Sequence, residues 1–349
     1  MRTVRSILVF HPALWGLVAL QSLVVAAWIA IDPRISFSLT RADETAITFG
    51  LCLLVAAVAY GFETSRWAVI AGRIRIMATG VLFLFLSFTG ARFLNYLSMS
   101  LAFPSADDML DSWDQALGLD WHAYAVWLSR YPDLLPYLEQ CYILAAVSIP
   151  FIFVALVACG RVERAKEFAT LLFIGVFVTV CVAGFFPAEG AMVRYMDSAL
   201  PAGTFGQKAG VFFVEALRKV RDADEVVLSF AALPGLASFP SFHTAISLLI
   251  VYACRDHVAA LLLATAGAGA VLVATPVYGG HYFIDVIAGF ALTIALAAAY
   301  AAVREAPDRR PRLYVTVAKL VTPWRLHAGV RARLCRESQG DLGAHSRHE

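Results

Sequence analysis

The sequence predicts an all-α fold, a polytopic membrane helix bundle of about eight transmembrane helices. Hydrophobic residues make up 60% of the 349-residue chain and charged residues only 15%, whereas soluble domains carry about 25% charged residues. The apolar residues also come in long runs, and a helix that spans a bilayer needs about 20 of them. This composition excludes a disordered chain and a soluble enzyme. The net charge of +2 gives no reason to expect nucleic acid as a partner.

Eight apolar runs are candidates for the spanning helices. They are Ala13–Ile31, Ala46–Phe62, Ile76–Leu97, Leu134–Cys159, Phe168–Phe186, Phe242–Cys254, Val258–Thr275 and Tyr282–Val303. The first is interpreted as a retained anchor, because it is too long for a simple signal peptide. The sixth is short, and we expect its helix to begin a few residues earlier, near Pro240.

The distribution of basic residues predicts the orientation. With both termini inside, most of the 28 Lys and Arg residues fall on the inner side, including all those that follow Val303, as the positive-inside rule requires. Residues 1–303 then form one transmembrane domain, and residues 304–349 form a basic cytoplasmic tail. Between the third and fourth runs lies an acidic outer loop. Its segment Leu110–Tyr131 and the amphipathic stretch Val211–Val220 are expected to lie at the outer interface.

Ionisable residues inside a membrane are costly and are functional candidates by default. His281 and Asp285 are four residues apart on a predicted helix and therefore share a face. A carboxylate in that position can orient the imidazole and stabilise its protonated form. His243 lies 38 residues before His281. A helical hairpin that crosses the membrane and returns contains about that many residues. We therefore expect both histidines at the same outer face.

The same geometry indicates an anion site. The sixth and eighth helices both begin at the outer face, where unpaired N–H groups and the helix dipole favour phosphate. Ser241 is placed to cap the sixth helix or to donate to a phosphate oxygen, and Gly279 and Gly280 allow the backbone to approach a ligand. The six cysteines are scattered and form no metal-binding pair, so we expect no metal site and no cofactor.

Two segments carry a resemblance to a known family. Pro240-Ser241-Phe242-His243 and His281-Tyr-Phe-Ile-Asp285 resemble the second and third signature motifs of the type 2 phosphatidic acid phosphatase superfamily. Their forms are similar to those of its inositol phosphorylceramide synthase-like branch, the inositolphosphotransferases. The resemblance covers about residues 134–303, which it implies to be the catalytic core of the bundle.

The sequence also departs from the family pattern. Phe242 replaces a usual glycine, Thr275 replaces a usual arginine, and no clean first motif is found. The positive charge that would bind phosphate must then come from another residue. Arg194 is the first candidate and Arg92 the second, and either could instead be an interfacial anchor.

The resemblance implies a lipid phosphatase or phosphotransferase that works without a metal. His281, oriented by Asp285, would attack phosphorus, His243 would protonate the leaving oxygen, and Ser241 with Arg194 would bind the phosphate. A lipid phosphate or phospholipid and the bilayer are the expected partners, and the sequence indicates no oligomeric state. The expected location is a bacterial inner membrane, with the site on the periplasmic face. A transporter and an inactive membrane protein with an anion-binding polar cluster are the alternatives.

Overall fold

The computed structural model describes residues 9–195, 203–222, 225–230 and 233–305, and helices dominate it. The helices are α1 (Pro12–Ile31), α2 (Ala42–Gly61), α3 (Ala68–Met99), α4 (Asp107–Ala116), α5 (Trp121–Ser129), α6 (Leu135–Ala158), α7 (Val162–Phe185), α8 (Ala191–Tyr195), α9 (Val214–Asp222), α10 (Phe242–Cys254), α11 (Val258–Tyr278) and α12 (Phe283–Glu305). The all-α prediction is confirmed. The structure also contains a parallel pair of short strands that the sequence did not predict, β1 (Ile35–Ser38) and β2 (Val226–Ser229).

Each of the eight predicted runs lies in a helix, and seven of these helices are long and apolar enough to cross a membrane within the described residues. The seven are α1, α2, α3, α6, α7, α11 and α12. The eighth, α10, has 13 residues and measures about 20 Å, at about 1.5 Å per residue. The expected start of α10 near Pro240 is wrong. The helix begins at Phe242, because Ser241 has extended backbone angles and its hydroxyl caps the amide of Thr244.

The helix α7 lies at the centre of the bundle. Of its most apolar stretch 61% is buried, against 17% for α1 and 11% for α2. Helices α3, α6 and α10 pack around it. The outer sides of α1 and α2 keep large apolar side chains exposed, which suits contact with lipid tails.

The connecting segments cover one end of this bundle. The predicted amphipathic stretch forms α9, whose buried residues Val214, Leu217 and Val220 pack against α3. The acidic loop forms α4 and α5. Trp121 and Tyr124 of α5 donate side-chain hydrogen bonds to carbonyl oxygens near the end of α11. The predicted tail lies almost entirely outside the described residues, and the orientation of the bundle stays a prediction.

A close helix contact joins α10 to α12. A Cβ added at Gly289 would lie 2.3 Å from the carbonyl oxygen of Ser241. Only glycine therefore allows the second turn of α12 to lie directly against the start of α10.

Replacing Gly289 by alanine should lower the midpoint of thermal unfolding in detergent, because α12 must move away from α10. Overpacking of this kind costs about 1–3 kcal/mol. The matched control is Gly267→Ala in α11, where an added Cβ meets nothing within 4 Å. An equal midpoint for the two variants would contradict the close contact.

Candidate active site

A cavity of about 540 Å³ opens among α3, α6, α7, α10 and the turn that follows α11. Both predicted histidines, His243 and His281, line it. Most of its wall is apolar, with contributions from Phe88, Ala91, Ile143, Ala146, Val176, Val180, Phe212, Phe213, Phe242 and Ile246. Its charged lining residues are Arg92, Glu139 and Lys208. The cavity can therefore accept a mostly apolar molecule that carries a charged group.

A buried carboxylate holds His281 in place. The Nδ1 atom of His281 lies 3.0 Å from Oδ2 of Asp285, and the Asp285 side chain is fully buried. The same oxygen accepts hydrogen bonds from the Ser238 hydroxyl at 2.8 Å and the Tyr282 amide at 3.1 Å. Since Nδ1 faces the carboxylate, Nε2 is the nitrogen of His281 that is available for chemistry. The role of Ser238 could not be inferred from spacing.

The second histidine is fixed by stacking. His243 lies in the first turn of α10, and its ring stacks on Tyr142 of α6 with centroids 4.0 Å apart and planes 21° apart. Tyr142 also lines the cavity. No motif in the sequence pointed to this tyrosine, because it lies in an unremarkable apolar run.

Ser241 has a structural role in this geometry. It is fully buried, its hydroxyl accepts the Thr244 amide, and its own amide donates to the Asp285 carbonyl oxygen at 2.9 Å. Ser241 is not among the residues that line the cavity. The structure thus shows its capping role and a link between α10 and α12, and the phosphate contact stays a prediction.

The expectation that two helix N-termini face the anion needs a correction. The amides of Phe283 and Ile284, which begin α12, both donate to the Asp114 carboxylate at 2.7 Å. They are therefore not available to a phosphate. In α10, by contrast, the amides of Phe242 and His243 donate no hydrogen bond within the described residues. Of these two helix starts, only that of α10 keeps unpaired amides within the described residues.

Asp114 belongs to a row of aspartates on one face of α4. Asp107 accepts the amides of Glu189 and Gly190 and the hydroxyl of Tyr282. Asp111 accepts the hydroxyl of Tyr195. The segment that contains most of this helix is predicted from the sequence only to lie at the interface, although the spacing 107, 111 and 114 indicates one helical face.

The environment of Asp114 changes its acidity. Burial raises the pKa of Asp114 to about 6, the nearby Asp285 and Asp111 add to the rise, and the two backbone hydrogen bonds oppose it. The carboxylate is therefore ionised near neutral pH but takes up a proton in mild acid.

Arg194 is held outside the cavity. Its guanidinium forms salt bridges with Asp108 at 2.7 Å and with Asp111 at 3.2 Å, and these partners raise the pKa of Arg194 above its ordinary value. It does not line the cavity. The second sequence candidate, Arg92, does, and so does Lys208, which the sequence analysis did not single out. Neither Arg92 nor Lys208 forms an ion pair within the part of the chain that the structure describes.

No group of three or more His, Cys, Asp or Glu side chains in the described residues could hold a metal ion. The imidazoles, the cations and the free amides of α10 together favour an anion.

A family model described as the PAP2 superfamily matches residues 108–300, more than half of the chain. The match includes His243 and Asp285 on their helices, His281 in the turn between α11 and α12, and most of α4. No curated protein and no solved structure matches the chain.

Asp114→Asn should lower kcat about tenfold at about pH 8 while the protein still folds, because an amide can accept only one of the two α12 amides. Protonated Asp114 likewise has only one oxygen free to accept an α12 amide, so wild-type kcat should fall as pH drops through about 6. Rates measured from about pH 5 to about pH 8 should converge for the two proteins at the acid end. A constant ratio across this range would show that the ionised carboxylate does not position the site.

Proposed function

Because the chain belongs to the PAP2 superfamily, we propose that it is a membrane-embedded, metal-independent enzyme that cleaves a lipid phosphoester through a phosphohistidine. It would pass the phosphoryl or phospho-head group to water or to a lipid alcohol. Membership in the superfamily supports phosphatase or phosphotransferase chemistry in general. The finer proposal depends on one observation, the buried His281–Asp285 pair in the same cavity as His243.

His281 is the proposed nucleophile. Its Nε2 forms a bond to phosphorus while the bond from phosphorus to the leaving oxygen breaks. A covalent intermediate divides one difficult displacement into two easier ones. Asp285 stabilises the positive charge that develops on the ring, because its carboxylate lies 3.0 Å from Nδ1 and is shielded from water.

His243 is the proposed general acid. A bound phosphate beside it favours the imidazolium form, which donates its proton to the leaving oxygen. In the second half of the reaction neutral His243 takes a proton from the incoming water or alcohol as the phosphorus–nitrogen bond breaks. Stacking on Tyr142 holds the ring in one plane for both transfers. General acid–base help of this kind contributes about 10²–10⁴ in rate.

Two cations and two amides are proposed to bind the phosphoryl oxygens. Arg92 and Lys208 line the cavity, and the amides of Phe242 and His243 point from the start of α10. Donors that are already oriented stabilise the developing charge without reorganisation. Arg92 thus replaces Arg194, which was the first choice from the sequence.

The apolar wall supports a lipid as substrate, since it can surround acyl chains. The form of both motifs resembles the inositol phosphorylceramide synthase-like branch and supports a lipid alcohol as acceptor, with water as the other possibility. The charge bias of the sequence supports a site on the periplasmic face of a bacterial inner membrane.

His281→Ala should abolish turnover of lipid phosphates and phosphodiesters, because no nucleophile replaces Nε2. The assay scores free phosphate and transferred head group separately, which also identifies the acceptor. The wild-type protein, quenched during turnover, should carry a phosphoryl group that is labile in acid and stable in base. His257→Asn, which keeps the α11 cap at the other end of the hairpin, is the control. Normal activity of His281→Ala would refute the mechanism, and inactivity of the wild type would favour an anion-binding transporter.

Arg92→Gln should raise KM and lower kcat/KM at least about tenfold, because a charge-assisted contact to phosphate contributes about 1.5–3 kcal/mol. Lys208→Gln should also raise KM and lower kcat/KM. Lys219→Gln, which removes an exposed cation paired with Glu215, should leave both constants near their wild-type values. A larger effect from Arg194→Gln than from Arg92→Gln would restore the choice made from the sequence.

A further inference from the structure

Two polar groups in the apolar wall of the cavity have no partner. The Nδ2 atom of Asn95 and the Oγ1 atom of Thr179 are buried without a hydrogen bond. Asn95 is 3% exposed and Thr179 is 1% exposed, and both line the cavity. A buried polar group left unsatisfied costs about 1–3 kcal/mol. Their location indicates that a ligand in the cavity satisfies them.

The orientation of the Asn95 amide follows from its other contact. Its Oδ1 atom accepts the backbone amide of Leu236 at 2.8 Å. The oxygen end is therefore occupied, and the NH2 end is left as a donor. Asn95 shares its helix face with Phe88, Ala91 and Arg92, and all of them line the cavity.

Thr179 differs from three other buried threonines in the bundle, whereas Thr244, which does not line the cavity, likewise has a hydroxyl without a partner in the described residues. Thr79, Thr275 and Thr293 each donate a hydrogen bond to the carbonyl oxygen four residues earlier, at 2.7, 2.7 and 3.0 Å. That local bond is the usual way in which a helix satisfies a buried hydroxyl. Thr179 does not make it, so its hydroxyl is free to donate to another oxygen.

The two groups lie towards the same end of their helices. Phe83 contacts Phe173, and Ser98 lies against Gly184, so α3 and α7 run parallel. Asn95 and Thr179 precede the second contact by about 4.5 and 7.5 Å along their helices, at about 1.5 Å per residue. Both groups therefore lie in the half of the paired helices nearer to Ser98 and Gly184, and both line the same cavity.

We propose that Asn95 and Thr179 form a subsite for a carbonyl oxygen of the lipid substrate, the oxygen of an ester or amide linkage near its head group. Both side chains can donate, and a carbonyl oxygen has two lone pairs and needs no donor of its own. Val176 is one turn from Thr179 and also lines the cavity, which favours a neutral oxygen at the pair, while the phosphate oxygens contact Arg92, one turn before Asn95. The inference rests on the proposed function and adds to it the class of lipid.

Lipid binding tests the subsite without turnover. Full-length His281→Ala protein in detergent is titrated with dioleoyl phosphatidic acid, with its di-O-oleyl ether analogue and with ceramide 1-phosphate, and binding is followed by the midpoint of thermal unfolding. The ether analogue, which lacks both carbonyl oxygens, should bind about five- to tenfold more weakly than the ester lipid. Ceramide 1-phosphate shows whether an amide carbonyl serves equally well.

Thr179→Val in the same protein should reduce this preference for the ester lipid and leave binding of the ether lipid unchanged. Asn95→Asp, which keeps the acceptor for Leu236 but loses the donor, should act in the same direction. Thr79→Val is the matched control, because it removes a buried hydroxyl of α3 that has a partner and does not line the cavity.

Equal binding of ester and ether lipids, or an equal loss for both lipids in Thr179→Val, would overturn the subsite. This failure differs from a failure of the proposed function, which would appear as a wild-type protein that releases no phosphate and transfers no head group. An ester preference in a protein without turnover would leave the subsite standing.

Discussion

The first turn of α12 is held by buried carboxylates, and the rest of the site depends on this arrangement. Asp114 accepts the first two amides of α12. Asp285 accepts the amide of Tyr282 and supplies its carbonyl oxygen to the amide of Ser241. Buried backbone amides without partners cost several kcal/mol in an apolar environment, so these contacts strongly favour one position for the turn. That position determines where His281 points.

The two carboxylates also decide how charge is distributed around the cavity. Asp114 and Asp285 make the start of α12 unfavourable for an anion, although a helix N-terminus usually attracts one. Their charge is useful on the other side of His281, where it stabilises a positively charged ring. The phosphate then needs positive charge from elsewhere. In the proposed mechanism the start of α10, Arg92 and Lys208, which line the cavity, would supply it.

The sequence was sufficient for the parts of the site that depend on local periodicity. Long apolar runs predicted the helices, and the four-residue spacing predicted the contact of His281 with Asp285. The premise that both residues lie on one helix was wrong, because α12 begins at Phe283 and His281 lies in the turn before it. The sequence could not show that Arg194 is paired outside the cavity lining, because its partners on α4 lie more than 80 residues away. Asp114 was missed for the same reason, since its bonds to α12 cross 169 and 170 residues.

The pattern of partners separates the groups that build the site from those that meet a ligand. In a membrane protein an ionisable side chain without a counter-ion is costly, and most of those near this site are paired, as Arg194 is with Asp108 and Asp111. Within the described residues Arg92 and Lys208 are cations in the cavity wall without an ion pair. Asn95 and Thr179 are neutral groups in the cavity wall that also have no hydrogen-bond partner in the described residues. A substrate that brings both a phosphate and a carbonyl oxygen satisfies all four side chains, and an apolar molecule with only one of these groups leaves some of the cost in place.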